Sequence, residues 1–379
     1  MSGTTTEAGD LLAELRAAIT AAMSRSDFVA SAREDTDTGV VGSCWELARS
    51  LDLPAALVAE QHGGLGFGPA EAIVCLEECA RSLAPICLPS HWGGLRLLEA
   101  AGEPDLDQLV ADAAQLAFAP ARPPVIAGEP WLQGAAGERA PLPKAARRND
   151  GWSIDGTLRW VAGASRADAL VLIALEGETP TAFRVSPGDP GVTLTSVVRF
   201  DHTTDLAHVR LGDAPATPLE LAEDELARSW ALHQAMLGAE GIGITRRCLE
   251  MSLAHARERY AFGRTIGSFQ AIKHRLVEML RLVEMTENCT TWFADAWNED
   301  LDDTMLAGVA ARVAGDRAQQ HATSSNIFVH GGMGATWEHD APYFYRRFQL
   351  RRLLALGTEE ALVELGARVL DRSWETADV

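Results

Sequence analysis

Apolar positions recur at three- and four-residue spacing over Leu11 to Met23, Cys44 to Leu51 and Ala70 to Leu83, which places them on one face of a helix in each case. The run Gly63-Gly64-Leu65-Gly66-Phe67-Gly68-Pro69 interrupts this periodicity with residues that accept turn conformations cheaply, so a loop is expected before the third helix. From Leu116 to about Leu211 the texture changes to short apolar or alternating runs separated by Gly, Pro and Asp. Examples are Trp152 to Trp160, Ala169 to Leu175, Val192 to Leu194 and Ala207 to Leu211, which read as strands. A Pro- and Ala-rich stretch, Asp213 to Pro218, reads as a joint. Long helical periodicity then resumes over Asp224 to Glu258, Phe269 to Trp297, Asp303 to Phe328 and Glu359 to Leu370. The pattern predicts an α+β chain of three domains: helices over 1–115, a β domain over 116–217 and a helical bundle over 218–379.

Composition narrows the function classes. The chain has 379 residues and is 47% hydrophobic, enough for a large core, yet its longest apolar runs fall far short of the roughly 20 residues that cross a bilayer. No membrane span is expected. The opening residues, Met1 to Ala8, show neither a basic nor an apolar region of a secretion signal, so a cytoplasmic address is expected. A net charge of −20 argues against nucleic acid as partner, because that affinity comes from clustered Lys and Arg. It does not forbid a nucleotide or CoA ligand, since a few arginines make a local basic pocket. The six cysteines lack paired spacing. Cys75 and Cys79 lie four apart on one expected helix, but without further ligands nearby free thiols are expected and no metal site is.

Three stretches carry candidate chemistry. Glu60-Gln61-His62-Gly63-Gly64-Leu65-Gly66 precedes Glu77-Glu78 and Arg81-Ser82. Arg259-Tyr260-Ala261-Phe262-Gly263-Arg264-Thr265-Ile266-Gly267 is followed by Phe269-Gln270. His330-Gly331-Gly332-Met333-Gly334-Ala335-Thr336-Trp337-Glu338 closes a long helix. Arg259 offers a planar fork of donors suited to a pyrophosphate, Phe262 a flat face for a ring, and Gln270 an amide for a ribose or base edge. Gly331 and Gly332 let a phosphate approach backbone N–H groups. Each also has a plainer reading: a solvated Arg, a core Phe, a Gly pair that ends a helix.

Together, in this order and over nearly the whole chain, these stretches resemble the acyl-CoA dehydrogenase family. The resemblance implies FAD as cofactor, an acyl-CoA substrate, and a helical, β and four-helix-bundle order. It also implies that Arg259, Phe262, Gln270, Gly331 and Gly332 reach across a subunit interface to the adenosine and pyrophosphate half of a neighbour's FAD, and it adds Thr358 to the cofactor-binding set.

The same resemblance exposes departures. The family's chemistry uses a base to take the α-proton of a thioester while the flavin accepts the β-hydride. In most members that base is the Glu of Tyr-Glu-Gly-Thr, which matches Ala355-Leu356-Gly357-Thr358 here, and Leu356 cannot abstract a proton. In others the Glu lies on the first helix of the last domain, where His233 stands; an imidazole could act as base, against the reading of a core or interface histidine, and the nearest carboxylate, Glu240, lies two turns further on. The flavin-cradling Thr-Glu-Pro matches Ala121-Arg122-Pro123, and the hydroxyl expected after Arg159-Trp160 is Ala162. The Gln expected before the Gly-Gly turn is Phe328.

Most of these losses remove a hydrogen-bonding or ionisable group from the flavin-ring and proton-transfer side, while most interface-reaching residues remain. The chain thus resembles the base-lacking subunit of heterotetrameric steroid side-chain acyl-CoA dehydrogenases, and the resemblance implies a homologous, base-bearing partner in an α2β2 assembly. Two other readings stay open at this point: a self-sufficient homo-oligomeric dehydrogenase or oxidase with an unusual base, and a structural subunit without flavin.

Overall fold

A computed structural model describes residues 3–34, 39–126, 128–149, 151–197 and 200–375. The first six helices are α1 (Gly3–Met23), α2 (Phe28–Glu34), α3 (Gly39–Arg49), α4 (Pro69–Arg81), α5 (Leu88–Ala101) and α6 (Leu106–Ala111). Pro69 opens α4 where its missing N–H costs nothing, and Glu71 turns back to accept from the Gly68 N–H at 3.0 Å. The glycine loop before it forms, as expected, from residues that tolerate positive φ.

Among the described residues nine strands follow: β1 (Leu116–Ala119), β2 (Leu132–Ala135), β3 (Glu138–Pro141), β4 (Lys144–Arg148), β5 (Gly151–Ala162), β6 (Ala169–Glu176), β7 (Thr179–Val185), β8 (Val192–Ser196) and β9 (Leu206–Leu219). Pairing runs β1-β6-β4-β5-β9-β7, with β8 on β9, and β7 also pairs β6, so the path closes on itself. β6 is buried on both faces: Leu170, Leu172 and Ala174 join one cluster with Leu158, Phe183 and Val209, while Val171 and Ile173 join another with Leu95 and Leu98 of α5. That two-sided burial is why it reads as an unbroken apolar run.

The expected joint at Asp213 to Pro218 is instead the second half of β9. Pro215 lies opposite Ser153 of β5, past the end of β8's pairing at Leu211, and Pro218 lies opposite Phe183 of β7, past the end of β5's pairing at Ala216. Each proline thus has one paired neighbour and needs no donor on its other side, the condition under which a strand accepts proline.

The last part comprises α7 (Glu223–Glu258), the two-stranded ribbon β10 (Tyr260–Ala261) and β11 (Arg264–Thr265), α8 (Gln270–Ala296), α9 (Leu301–His330), α10 (Ala341–Arg351) and α11 (Thr358–Glu375). α7 and α9 cross closely because their seam is glycine: a Cβ on Gly238 would stand 2.5 Å from the Ala311 carbonyl oxygen, and one on Gly308 2.7 Å from that of Ala231. α7 also packs on α4 and α5, which makes it the spine against which the first helices rest, and α5 in turn carries β1. Among the described residues no helix is long and apolar enough to cross a membrane, and no group of three or more His, Cys, Asp or Glu is placed to hold a metal. All six cysteines are free; burial pushes the Cys75 thiol up to about 12 and Cys87 up to about 11, which leaves them unreactive packing groups.

Candidate active site and nucleotide-facing surface

The sequence-predicted residues fall into two sets, one inside the molecule and one on its surface. The inner set surrounds a cleft of only about 20 Å³ between β1, β5, α7 and the turn after α10, lined among others by Phe118, Trp160, Ala162, His233, Leu354 and Ala355. That is room for one water molecule, not for a tricyclic ring. Trp160 sits where the β5 to β9 register shifts between Leu158 and Val161 and takes φ of 60°, with its ring edge-on to His208 at 6.3 Å. Ala121 and Ala162 are buried and apolar. Between them in sequence, buried Arg122 is spent on Glu129, whose carboxyl it holds low against the desolvation that would raise it.

Leu356, at the position where the family resemblance implies a base, is 1% exposed. Ala355, Leu356 and Gly357 have φ of 49°, 66° and 88°, three successive left-handed residues, and the Leu356 N–H donates to the Gly134 carbonyl at 2.9 Å. Non-glycine residues take this region at a cost of about 1–3 kcal/mol each, so packing holds the turn in a strained shape although it carries no carboxylate. Thr358 opens α11, and its hydroxyl donates to Asp316 Oδ2 at 2.7 Å, inside the chain.

His233 does reach the cleft. Burial first, then the Arg312 and Arg351 charges, push it down to about 3, partly offset by the Pro89 carbonyl, and its Nδ1 has no partner among the described residues. A ring that gives up its proton so readily is a feeble proton acceptor at neutral pH. It packs edge-on to Phe118 at 6.4 Å. Glu240, the neighbouring carboxylate, is engaged by Arg351 at 2.8 Å and Arg347 at 3.8 Å.

Behind the cleft lies a buried arginine ladder that the sequence reading did not single out. Arg312 pairs with Asp316 at 2.6 Å and donates from Nη2 to the Arg351 carbonyl at 3.1 Å. Arg347 donates to Thr203 Oγ1 at 2.8 Å and to the Leu83 carbonyl at 3.1 Å, and lies 3.3 Å from Asp201. The doubled Arg346-Arg347 and Arg351-Arg352 resemble an exposed helix face in sequence; only their three- and four-residue spacing relative to Tyr343, Phe344, Phe348 and Leu350 hints that one of each pair turns inward.

The outer set is laid out differently. Arg259 directly follows α7 and is exposed; its carbonyl accepts from the Ile266 N–H at 2.8 Å, closing the ribbon. The loop of the ribbon is Phe262-Gly263 with φ of 53° and 77°, the two-residue type I′ arrangement. It carries Phe262 on its tip, 95% exposed. Phe269 lies edge-on at 6.2 Å, Arg264 covers the Phe269 ring at 4.2 Å, and exposed Gln270 begins α8. Gly331 ends α9 with φ of 64° and ψ of −143°, a conformation close to glycine's own, and a Cβ on either Gly331 or Gly332 would meet nothing within 4 Å. Phe328, in the same last turn, is half exposed beneath the Arg275 guanidinium at 4.0 Å.

This fold, a helical part, a β part and a second helical part in that order, is that of the acyl-CoA dehydrogenase class of flavin oxidoreductases. The chain is similar to the acyl-CoA dehydrogenase family. The family model described as Acyl-CoA dehydrogenase, C-terminal domain matches residues 229–370. Acyl-CoA dehydrogenase IpdE2 of Mycolicibacterium smegmatis is 27% identical over 96% of this chain and 99% of its own length, and IpdE2 of Mycobacterium tuberculosis is 28% identical over 90% of each. Among solved structures, a variant of the Tcur3481-Tcur3483 steroid ACAD has a TM-score of 0.84 at 22% identity, covering 96% of this chain and 99% of its own; the ChsE4-ChsE5 complex of Mycobacterium tuberculosis has 0.79 at 22%, covering 97% of both. FAD is the cofactor of the class.

Proposed function

We propose that this chain is the partner subunit of an α2β2 acyl-CoA dehydrogenase: it completes the FAD site of a homologous chain that carries the base, and does not itself draw the α-proton from the thioester. One observation carries the reading. The groups suited to a nucleotide stand exposed with nothing in this chain to hold, while the position of the base is a buried leucine beside a cleft of about 20 Å³.

The fit to FAD divides along the same line. The inner cleft has neither the volume nor the hydroxyl groups to seat an isoalloxazine ring. The surface fits the other half: Arg259 would pair with the diphosphate, the exposed Phe262 face would stack on the adenine, Gln270 would reach a ribose or base edge, and the Gly331-Gly332 turn would let phosphate oxygens approach the backbone. When bound, FAD supplies the acceptor for the β-hydride. A self-sufficient enzyme would need His233 as base, and its imidazole is held far too acidic for that task. Two of the similar structures are a steroid ACAD and a two-component complex, which supports a bulky sterol side-chain thioester as the substrate of the assembly.

Co-expression with a homologue that bears Glu at the Leu356 position should give roughly two FAD per four chains, and the chain alone should be colourless. Four tightly bound FAD per four chains, or a yellow homogeneous preparation that bleaches with an acyl-CoA, defeats the proposal.

A further inference from the structure

Two long helices end at one place on the nucleotide-facing surface. α7 carries His255 in its last turn, α9 ends on His330, and the loop beyond brings back His339. The His255 and His330 rings lie 4.4 Å apart at 32°, and the His330 and His339 rings 4.4 Å apart at 51°, one stack across three segments. Arg259 follows His255 by one turn, and Gly331 follows His330 directly.

Hydrogen bonds assign two of the neutral tautomers. His330 Nδ1 lies 2.8 Å from the Asn326 carbonyl oxygen, which can only accept, so Nδ1 holds the hydrogen and Nε2 keeps a free lone pair. His339 Nδ1 accepts from the Ala341 N–H at 3.1 Å, so it tethers the start of α10, and a proton placed there would break that bond.

The charges around the stack oppose one another. Burial, His330, Arg259 and His339 hold His255 below its ordinary value, with Glu258 pulling the other way; burial and His330 hold His339 down, Asp340 raises it and Arg33 of α2 lowers it. Against this, the carbonyl ends of α7 and α9 both meet here and favour a cation. Repulsion between adjacent rings allows the stack one added proton at most.

Resting on the reading of this surface as nucleotide-facing, we propose that the His255–His330–His339 stack is a proton-linked anion element: it takes up a proton when a nucleotide diphosphate seats against Arg259 and the Gly331-Gly332 turn. The sign follows from reciprocity. A bound anion favours the imidazolium, so protonation favours the bound anion, and affinity rises as pH falls. A single proton limits the slope to about tenfold per pH unit.

The test is calorimetric titration of the full chain with ADP from pH 8 to pH 6, in buffers of different ionisation enthalpy. The dissociation constant should fall by about three- to tenfold with uptake of up to about one proton, as a single linked group dictates. His255→Gln and His330→Gln, made separately and checked for unchanged thermal unfolding at pH 8, should each flatten the slope. Adenosine, lacking phosphate, should show none. An ADP affinity equal at pH 6 and pH 8, a slope intact in both variants, a slope shared by adenosine, or no ADP binding at any pH overturns the proposal. The assembly's FAD content is read independently: two FAD per four chains with pH-independent ADP binding would retain the subunit reading and discard this one, and proton-linked ADP binding in an assembly with four FAD would do the reverse.

Discussion

The inner cleft and the outer surface of this chain treat their polar groups in opposite ways. Inside, charged side chains are consumed by partners within the same chain: Arg347 by Thr203 and Asp201, Arg351 by Glu240, and Asp316 by Arg312 and the Thr358 hydroxyl. Outside, Phe262 is 95% exposed on the tip of a tight ribbon with the edge of Phe269 at 6.2 Å, and Gln270, Gly331 and Gly332 are open as well. Burying an aromatic ring lowers the free energy of a chain in water, and this ribbon instead leaves Phe262 exposed.

That contrast can be broken most forcefully from the inside. Arg347→Met leaves Asp201 buried without its ion pair and should destabilise the chain by about 3–5 kcal/mol, measured by urea unfolding, as for other broken buried pairs. A near-neutral result would mean that water reaches the ladder, and the interior would not be closed.

Acid gives the next largest effect. In neutral His91 both ring nitrogens are used, Nε2 toward the Pro54 carbonyl at 3.0 Å and Nδ1 accepting from the Leu116 N–H at 3.1 Å; burial pushes this ring down to about 4 and, with Arg312 and Arg351, His233 to about 3. Both folded-state values lie below the unfolded one, so the unfolded chain protonates first. Stability is full above pH 6.5 and declines as pH falls toward the folded values, by about 2 kcal/mol per ring at pH 5. Unfolding midpoints that match at pH 7.5 and pH 5 would contradict the assigned burial.

Outer substitutions should act on flavin binding only when the assembly is present. Arg259→Ala removes a charge-assisted bond worth about 1.5–3 kcal/mol, so FAD should dissociate from the co-purified assembly some tenfold to a hundredfold faster by flavin fluorescence. Smallest of all, Phe262→Ser should change the stability of the isolated chain by less than about 0.5 kcal/mol, as for exposed positions without partners. A larger loss would give Phe262 a role inside its own subunit.

How much of this was legible in the sequence depended on whether period and burial agreed. α7 was expected from Asp224 to Glu258 and runs Glu223–Glu258, because its apolar and small residues keep one spacing along its length. α10 was not foreseen: Arg347 and Arg351 occupy inward positions among Tyr343, Phe344 and Phe348, so polarity and burial give conflicting periods. The second half of β9 was hidden by Pro215 and Pro218, whose tolerance depends on which strands end beside them. At the site, the loss of a carboxylate at Leu356 could be read from one letter. The smallness of the cleft, the left-handed turn beneath it and the meeting of three histidines could not, since each is made by segments far apart in the chain.

The backward-curling peptide at Ala355, Leu356 and Gly357 has one last implication. Its geometry persists with no acid to aim, so the fold keeps it for mechanical reasons of its own. Reinstating the acid by Leu356→Glu would therefore ask nothing new of the main chain, yet the restored carboxyl would stand buried next to a cleft of only about 20 Å³ that Ala355 lines. Regaining chemistry here is a matter of excavation rather than of spelling.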